Sequence, residues 1–179
     1  VFTPDLPAGL RLAGSTKLAA AATTTSVLTI DPFDMLWITY SVTGYGAADI
    51  AAFRFGGTGG AVDSAANYWD RHMQSAAGGT TFTNTQTASS TMIRVAAATA
   101  TTGRVGSITV QNFATIAKIA SFSNSPITQT ANAATVGVVQ LGGGQWTNTT
   151  QQIVSVQMVT AGGQTLSAGT GFAVWGLNF

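Results

Sequence analysis

The chain has 179 residues, with seven basic and six acidic side chains, one His, no Cys and a formal net charge of +1. Charged residues make up 7% of it, against roughly a quarter in an ordinary soluble domain. Disulfides, thiolate metal sites and thiol catalysis are excluded, and the cations (Arg11, Lys17, Arg54, Arg71, Arg94, Arg104, Lys118) are scattered singly, unlike the clustered Lys and Arg that bind a phosphate backbone.

The first 25 residues hold two prolines and two glycines with weak periodicity, and are expected to form an N-terminal arm, either disordered or docked on a neighbour, with docking favoured. The Ala/Thr-rich stretch after Arg11 and Lys17 has a faint signal-peptide look, but Asp5, Pro7 and the weak apolar core argue against one. No run approaches the roughly 20 apolar residues of a membrane span. Ser26 to Ile30 opens a single domain, 26–179, and Asp31 and Asp34 bracket a Pro32-Phe33 turn. Met35 to Val42 alternates β-branched and aromatic residues as a strand does, and Ile50 to Phe55 follows. Gly56-Gly57-Thr58-Gly59-Gly60 is a wide connection. It is no phosphate cradle, because a P-loop needs Lys and Ser/Thr after the glycines and Ala61-Val62-Asp63 stands there.

Asp63 to Ser75 is the one credible helix, with Asp63 as N-cap and Ala66, Trp69 and Met73 on one face. Further strands are expected at Thr91 to Ala97, Val105 to Gln111, Phe113 to Phe122, Thr135 to Leu141, Ile153 to Val159 and Phe172 to Trp175. Ala77-Gly78-Gly79, Thr102-Gly103, Gly142-Gly143-Gly144 and Ala161-Gly162-Gly163 are taken as turns between them. About nine strands at this spacing, with no room for crossover helices, predict an all-β, antiparallel jelly-roll-like sandwich of eight strands in two sheets. Trp37, Ile38, Ile108, Val110, Val154, Val156, Phe172 and Val174 are the core candidates, joined by Trp175.

Catalytic material is thin. His72 follows Asp70-Arg71, so an Asp-oriented base is conceivable, but no Gly-x-Ser-x-Gly elbow accompanies it. One His, no Cys and no Glu bar a zinc site. Calcium at Asp31 and Asp34 is the functional alternative to a plain turn, but no spaced Asp/Asn/Gly loop supports it. A glycosidase needs two facing carboxyls, and six aspartates doing turn and cap work leave weak material for that; Asp63, Asp70 and His72 are the best candidates. The expectation is a non-enzyme without metal or cofactor.

Aromatic residues carry the binding signal. Tyr45, Tyr68, Trp69 and Trp146 are placed in or beside loops, and Tyr68-Trp69 next to Arg71 has the composition of an interface anchor. The same grouping stacks on sugar rings equally well, and the bland alternative is a small apolar core beneath a large loop.

Two segments carry a resemblance. Phe53-Arg54-Phe55-Gly56-Gly57-Thr58-Gly59, with Asn67-Tyr68 after it, resembles a segment of β-rich virion proteins of tailed bacteriophages, where an apolar residue precedes Arg-Phe-Asn-Gly-Asp-Thr-Gly. Ser167 to Gly176 resembles their last strand, Gly-Ser/Thr-x-Phe-x-Leu-Tyr-Gly, with Phe172 and Trp175 matching its Phe and Tyr. The chain departs from the pattern at Gly56, which replaces Asn, and lacks the Asp before Thr58. The resemblance implies a structural component of head or tail with no catalytic residues. The expected function is therefore capsid decoration on the virion surface, as a homo-oligomer (a trimer first) bound to the major capsid protein or other virion proteins. Nucleic acid and membrane are not expected partners. The alternative is a tail- or fibre-associated receptor module that binds glycan. Tyr45, Arg54, Tyr68, Trp69, Arg71 and Trp146 are the contact candidates.

Overall fold

Alternation of buried and open positions runs through the long strands of the computed structural model, which describes residues 9–75, 82–96, 102–126 and 139–179. The turn at Ala77-Gly78-Gly79 and residues 135–138 of one expected strand lie outside the described residues. The larger sheet is built from β1 (Arg11–Lys17), β3 (Met35–Gly44), β5 (Tyr68–Ser75), β6 (Phe82–Ser90), β8 (Thr102–Gln111), β9 (Lys118–Pro126), β10 (Gln140–Trp146) and β12 (Gly171–Leu177). The smaller contains β2 (Leu28–Thr29), β4 (Ala51–Gly56), β7 (Ile93–Ala96) and β11 (Ser155–Thr160). Their orders are β1-β12-β3-β8-β9-β10-β5-β6 and β2-β11-β4-β7, and every pairing is antiparallel. The protein is an all-β, antiparallel two-sheet sandwich, with no helix among the described residues.

The core lies between the sheets. Leu36, Ile38, Tyr40 and Val42 of β3 point inward, with Ile108, Val110, Phe172 and Val174 beside them. Phe53 of β4 meets the rings of Tyr40 and Phe172 edge-on, at 5.6 and 5.4 Å. Edge-to-face pairs of this kind align the positive ring edge with the negative ring face.

Several expectations are corrected. Asp63 to Ser75 contains no helix: Tyr68–Ser75 is a strand in which Tyr68, Asp70 and His72 are buried and Trp69, Arg71 and Met73 are exposed, paired to β10 on one side and β6 on the other. Trp37 is not core. In a sheet with one buried face, neighbouring residues cannot both point inward, so Ile38 is buried and Trp37 is 38% exposed. Trp175 and Val154 are half-buried. Thr102-Gly103 lies within β8, and Gly142-Gly143-Gly144 lies at the centre of β10. Part of the segment expected as an arm forms β1, an edge strand on β12.

Candidate functional site

Residues directly opposite each other in neighbouring strands share a face. One such row crosses the outer surface of the larger sheet: Trp175, Trp37, Thr109, Ser121, Gly143, Arg71, Gln86. The adjacent row carries Thr39, Ser107, Ser123, Leu141, Met73 and Asn84. A third brings Ile119, Gln145 and Trp69 together. This face has hydroxyls in its middle and apolar groups towards both ends.

β10 makes a trough in it. A Cβ on Gly142 would strike the Phe122 ring and stand 2.8 Å from His72 Cβ, and one on Gly144 would stand 2.7 Å from Ile93 Cγ2. Both positions face the crowded interior, which explains a glycine run inside a strand. Gly143 faces outward, and a Cβ there meets only the Ala120 carbonyl at 3.1 Å. The floor is therefore backbone, walled by Trp69, Arg71 and Met73 of β5. Hollows of about 200 and 420 Å³ flank Arg71, the first bordered by Trp69, Gln86 and Gln145, the second by Met73, Asn84 and Leu141. Trp69 is 44% exposed. Arg71 is exposed, and its Nε donates to Asn84 Oδ1 at 3.2 Å.

Behind this wall the interior is polar. Asp70 is buried and accepts from Arg94 Nε at 3.3 and 3.2 Å and from Arg94 Nη2 at 3.2 Å, so the pair ties β5 to β7 across the two sheets. His72 is buried, with Nδ1 3.9 Å from Asp70 Oδ1 and without a hydrogen bond. Burial pushes its imidazole below the ordinary 6.5; Asp70 opposes that and Arg94 adds to it. The folded chain then holds His72 neutral where the unfolded chain takes up a proton. Stability contributed in this way is present above 6.5 and is lost as pH falls towards the folded pKa. The urea midpoint is expected to drop between about pH 7.5 and about pH 5.5, and His72→Gln is expected to flatten that part of the slope. An unchanged slope in the variant would assign the pH dependence elsewhere.

The other contact candidates separate. Tyr45, Tyr68 and Trp146 are buried, not in open loops. The Tyr68 hydroxyl has its single proton within reach of two carbonyls, Phe55 and Asp63, each at 3.0 Å, and accepts the Phe55 N–H at 2.9 Å. Trp146 stacks on Tyr68 with ring centres 6.4 Å apart, and its Nε1 donates to Asp63 Oδ2 at 2.8 Å. Asp63 also accepts from Ala65 N and Asn67 Nδ2, at 2.8 and 2.9 Å. Arg54 is half-buried, with Nε on the Thr91 carbonyl at 3.2 Å. The segment that resembles the virion proteins is thus a hub that folds β4 back over β5. The chain after Gly56 returns so closely that a Cβ there would strike the Ala61 carbonyl, leaving no room for the Asn of the pattern.

Of the aspartates weighed for calcium, Asp34 accepts from the Phe179 N–H at 3.1 Å and Asp31 is exposed. No group of three or more His, Cys, Asp or Glu is assembled among the described residues. Only Trp69 and Arg71 of the six contact candidates meet at an open site. Gly143, Gln86, Gln145 and Asn84 complete it; the only sign of them in the sequence is the alternation of Leu141 and Gln145 on either side of the glycines.

No protein-family model and no curated protein matches the chain. Among solved structures, alginate lyase Aly36B is 12% identical with a TM-score of 0.37, covering 91% of this chain and 77% of its own. Scytalido-glutamic peptidase, solved with a peptide-based transition state analog, is 11% identical with a TM-score of 0.28, covering 91% and 66%. Domains LG4-5 of the mouse laminin alpha1 chain are 13% identical with a TM-score of 0.25, covering 93% and 48%.

Proposed function

We propose that this chain is a non-enzymatic glycan-binding module of a bacteriophage particle, tail- or fibre-associated, with the β5–β10 trough as its saccharide site. One observation carries the reading: Trp69 lies exposed beside Arg71 along a floor that has no side chain at Gly143. An indole at the surface offers a flat apolar plate with a polar rim, suited to the C–H face of a pyranose. The amides of Asn84, Gln86 and Gln145 around it both donate and accept, which matches sugar hydroxyls. Placement on a phage particle is supported by the resemblance of Phe53 to Gly59 and Ser167 to Gly176 to virion proteins.

A glycan array followed by titration tests the site. Saturable binding is expected, and Trp69→Ala is expected to weaken it by at least about thirty-fold, the effect of removing an aromatic anchor. Since Trp69 is half in solvent, the variant should fold. Binding that survives it unchanged would remove the trough from consideration.

Shell decoration by a homo-oligomer is the second reading. It is favoured by Leu12, Trp175 and Trp37, which lie in register at the opposite end of the same face with the indole centres 6.4 Å apart. Particles stripped of the protein separate the two. Loss of adsorption with an intact shell supports receptor binding, and loss of shell stability with normal adsorption supports decoration.

A further inference from the structure

We infer that the trough selects acidic glycans, with Arg71 as the fork that takes a sugar carboxylate; this rests on the glycan-binding reading above. Asp31, Asp34, Asp49 and Asp63 lie in connections, and Asp70 points into the interior. Among the described residues, then, no carboxylate lies on the outer face of the larger sheet. The face carries cations alone: Arg71 in the trough and Lys17, exposed in the row of Gly171, Ser41 and Val105 at the far end.

Arg71 is also the right kind of cation in the right state. The nearest acid in sequence, Asp70, is committed to Arg94 on the other side of the sheet. Arg71 has no ion pair among the described residues, and its one hydrogen bond there uses Nε. Asn84 holds the guanidinium through Nε, and the Nη1/Nη2 end has no partner among the described residues. That end presents two parallel N–H donors at the spacing of a carboxylate, a geometry lysine lacks. Trp69 lies two residues away on the same face of β5, about 7 Å along a strand. One pyranose can therefore rest on the indole while its carboxylate, or that of the next residue, meets the guanidinium.

A neutral-sugar site has no use for an unpaired guanidinium in its centre. Neutral saccharides expose hydroxyls, which are commonly bound by carboxylate acceptors and amides together; here only the amides are present. With no counter-charge on the face, an anionic ligand meets attraction from Arg71 and no opposing term, and the affinity must fall with salt.

The test is calorimetric titration of the whole protein with oligouronates and with neutral oligosaccharides of equal length, at low and high NaCl. Oligouronates are expected to bind more tightly and to weaken as salt rises. Arg71→Gln is expected to cost roughly ten- to hundred-fold on the oligouronate, the effect of losing a charge-assisted pair of hydrogen bonds, and to cost the neutral oligosaccharide much less, so that the preference for the acidic chain collapses. Arg71→Lys is expected to keep the salt dependence but recover only part of the affinity. The side chain is exposed, so thermal melts of both variants should match the parent. Equal affinity for acidic and neutral chains, lost in Trp69→Ala but not in Arg71→Gln, would overturn this inference and leave the glycan site standing. No binding of either class by the parent protein would overturn both. Full recovery in Arg71→Lys would show that charge alone acts and would refute the fork.

Discussion

Arg94→Met is expected to destabilise the fold by about 3–5 kcal/mol, the effect of stranding a buried charge. Asp70 has a fully buried side chain, and Arg94 is its ion-pair partner within bonding distance. The guanidinium reaches it from the opposite sheet through Nε and Nη2. Removing Arg94 leaves a carboxylate with His72 at 3.9 Å as its nearest basic group. The buried carboxylate then stands uncompensated, and the sheets part at β7 to admit water. The loss appears in urea unfolding as a lower midpoint. The double variant Arg94→Met/Asp70→Leu is expected to regain most of the loss, since a buried pair is replaceable by apolar groups of similar volume. A single-variant loss below about 1 kcal/mol would mean that solvent already screens the pair.

Trp146→Ala is expected to cost about 3–5 kcal/mol, as large-to-small changes in a packed core do. The indole is 1% exposed, lies flat on Tyr68 and donates to Asp63. Trp146→Phe divides the effect. It keeps most of the ring contact and loses the hydrogen bond, so its cost should be a fraction of the alanine value, about 1 kcal/mol. The Asp63 carboxyl reports the same bond. Burial raises its pKa, but hydrogen bonds from Trp146, Asn67 and the Ala65 N–H outweigh that and hold it below 3.8. In Trp146→Phe it should titrate closer to the ordinary value, as read by NMR. An Asp63 pKa that does not move would show that Asn67 and Ala65 suffice.

The fold was legible wherever alternation is local. Leu36, Ile38, Tyr40 and Val42 sit at every second position of one strand, and Ile108 with Val110 repeat the pattern, so β3, β8 and β12 are legible as strands from local pattern, while the inward face of β3 and β12 is not, because Trp37 and Trp175 make the outer face bulky as well. β5 is not legible in this way. Ala66, Trp69 and Met73 fall three and four apart, as a helix face does, while of the two partners that make the segment a strand, β6 has a polar sequence without apolar alternation and β10 lies about seventy residues on. β10 was hidden for a related reason. Three glycines give no side-chain pattern, and what demands them is the approach of Phe122, His72 and Ile93 from other strands. The site divides likewise. Trp69 and Arg71 stand out by residue type and proximity in sequence. Gly143 and Gln86 join them only through the register of three strands, and Tyr45, Tyr68 and Trp146 looked like surface aromatics because their burial is set by elements distant in sequence.

The glycine run also sets how this surface can diversify. Gly142 and Gly144 are locked from inside, so substitution there is a folding defect whatever the ligand. Gly143 is restrained mainly by one carbonyl, at 3.1 Å from where a Cβ would stand. In a saturation mutagenesis screen the first two should tolerate nothing, while the third should accept small residues that keep the chain folded but alter what it holds. Variation in preference can therefore accumulate at a single backbone position, one methyl group at a time, without renegotiating the core beneath it.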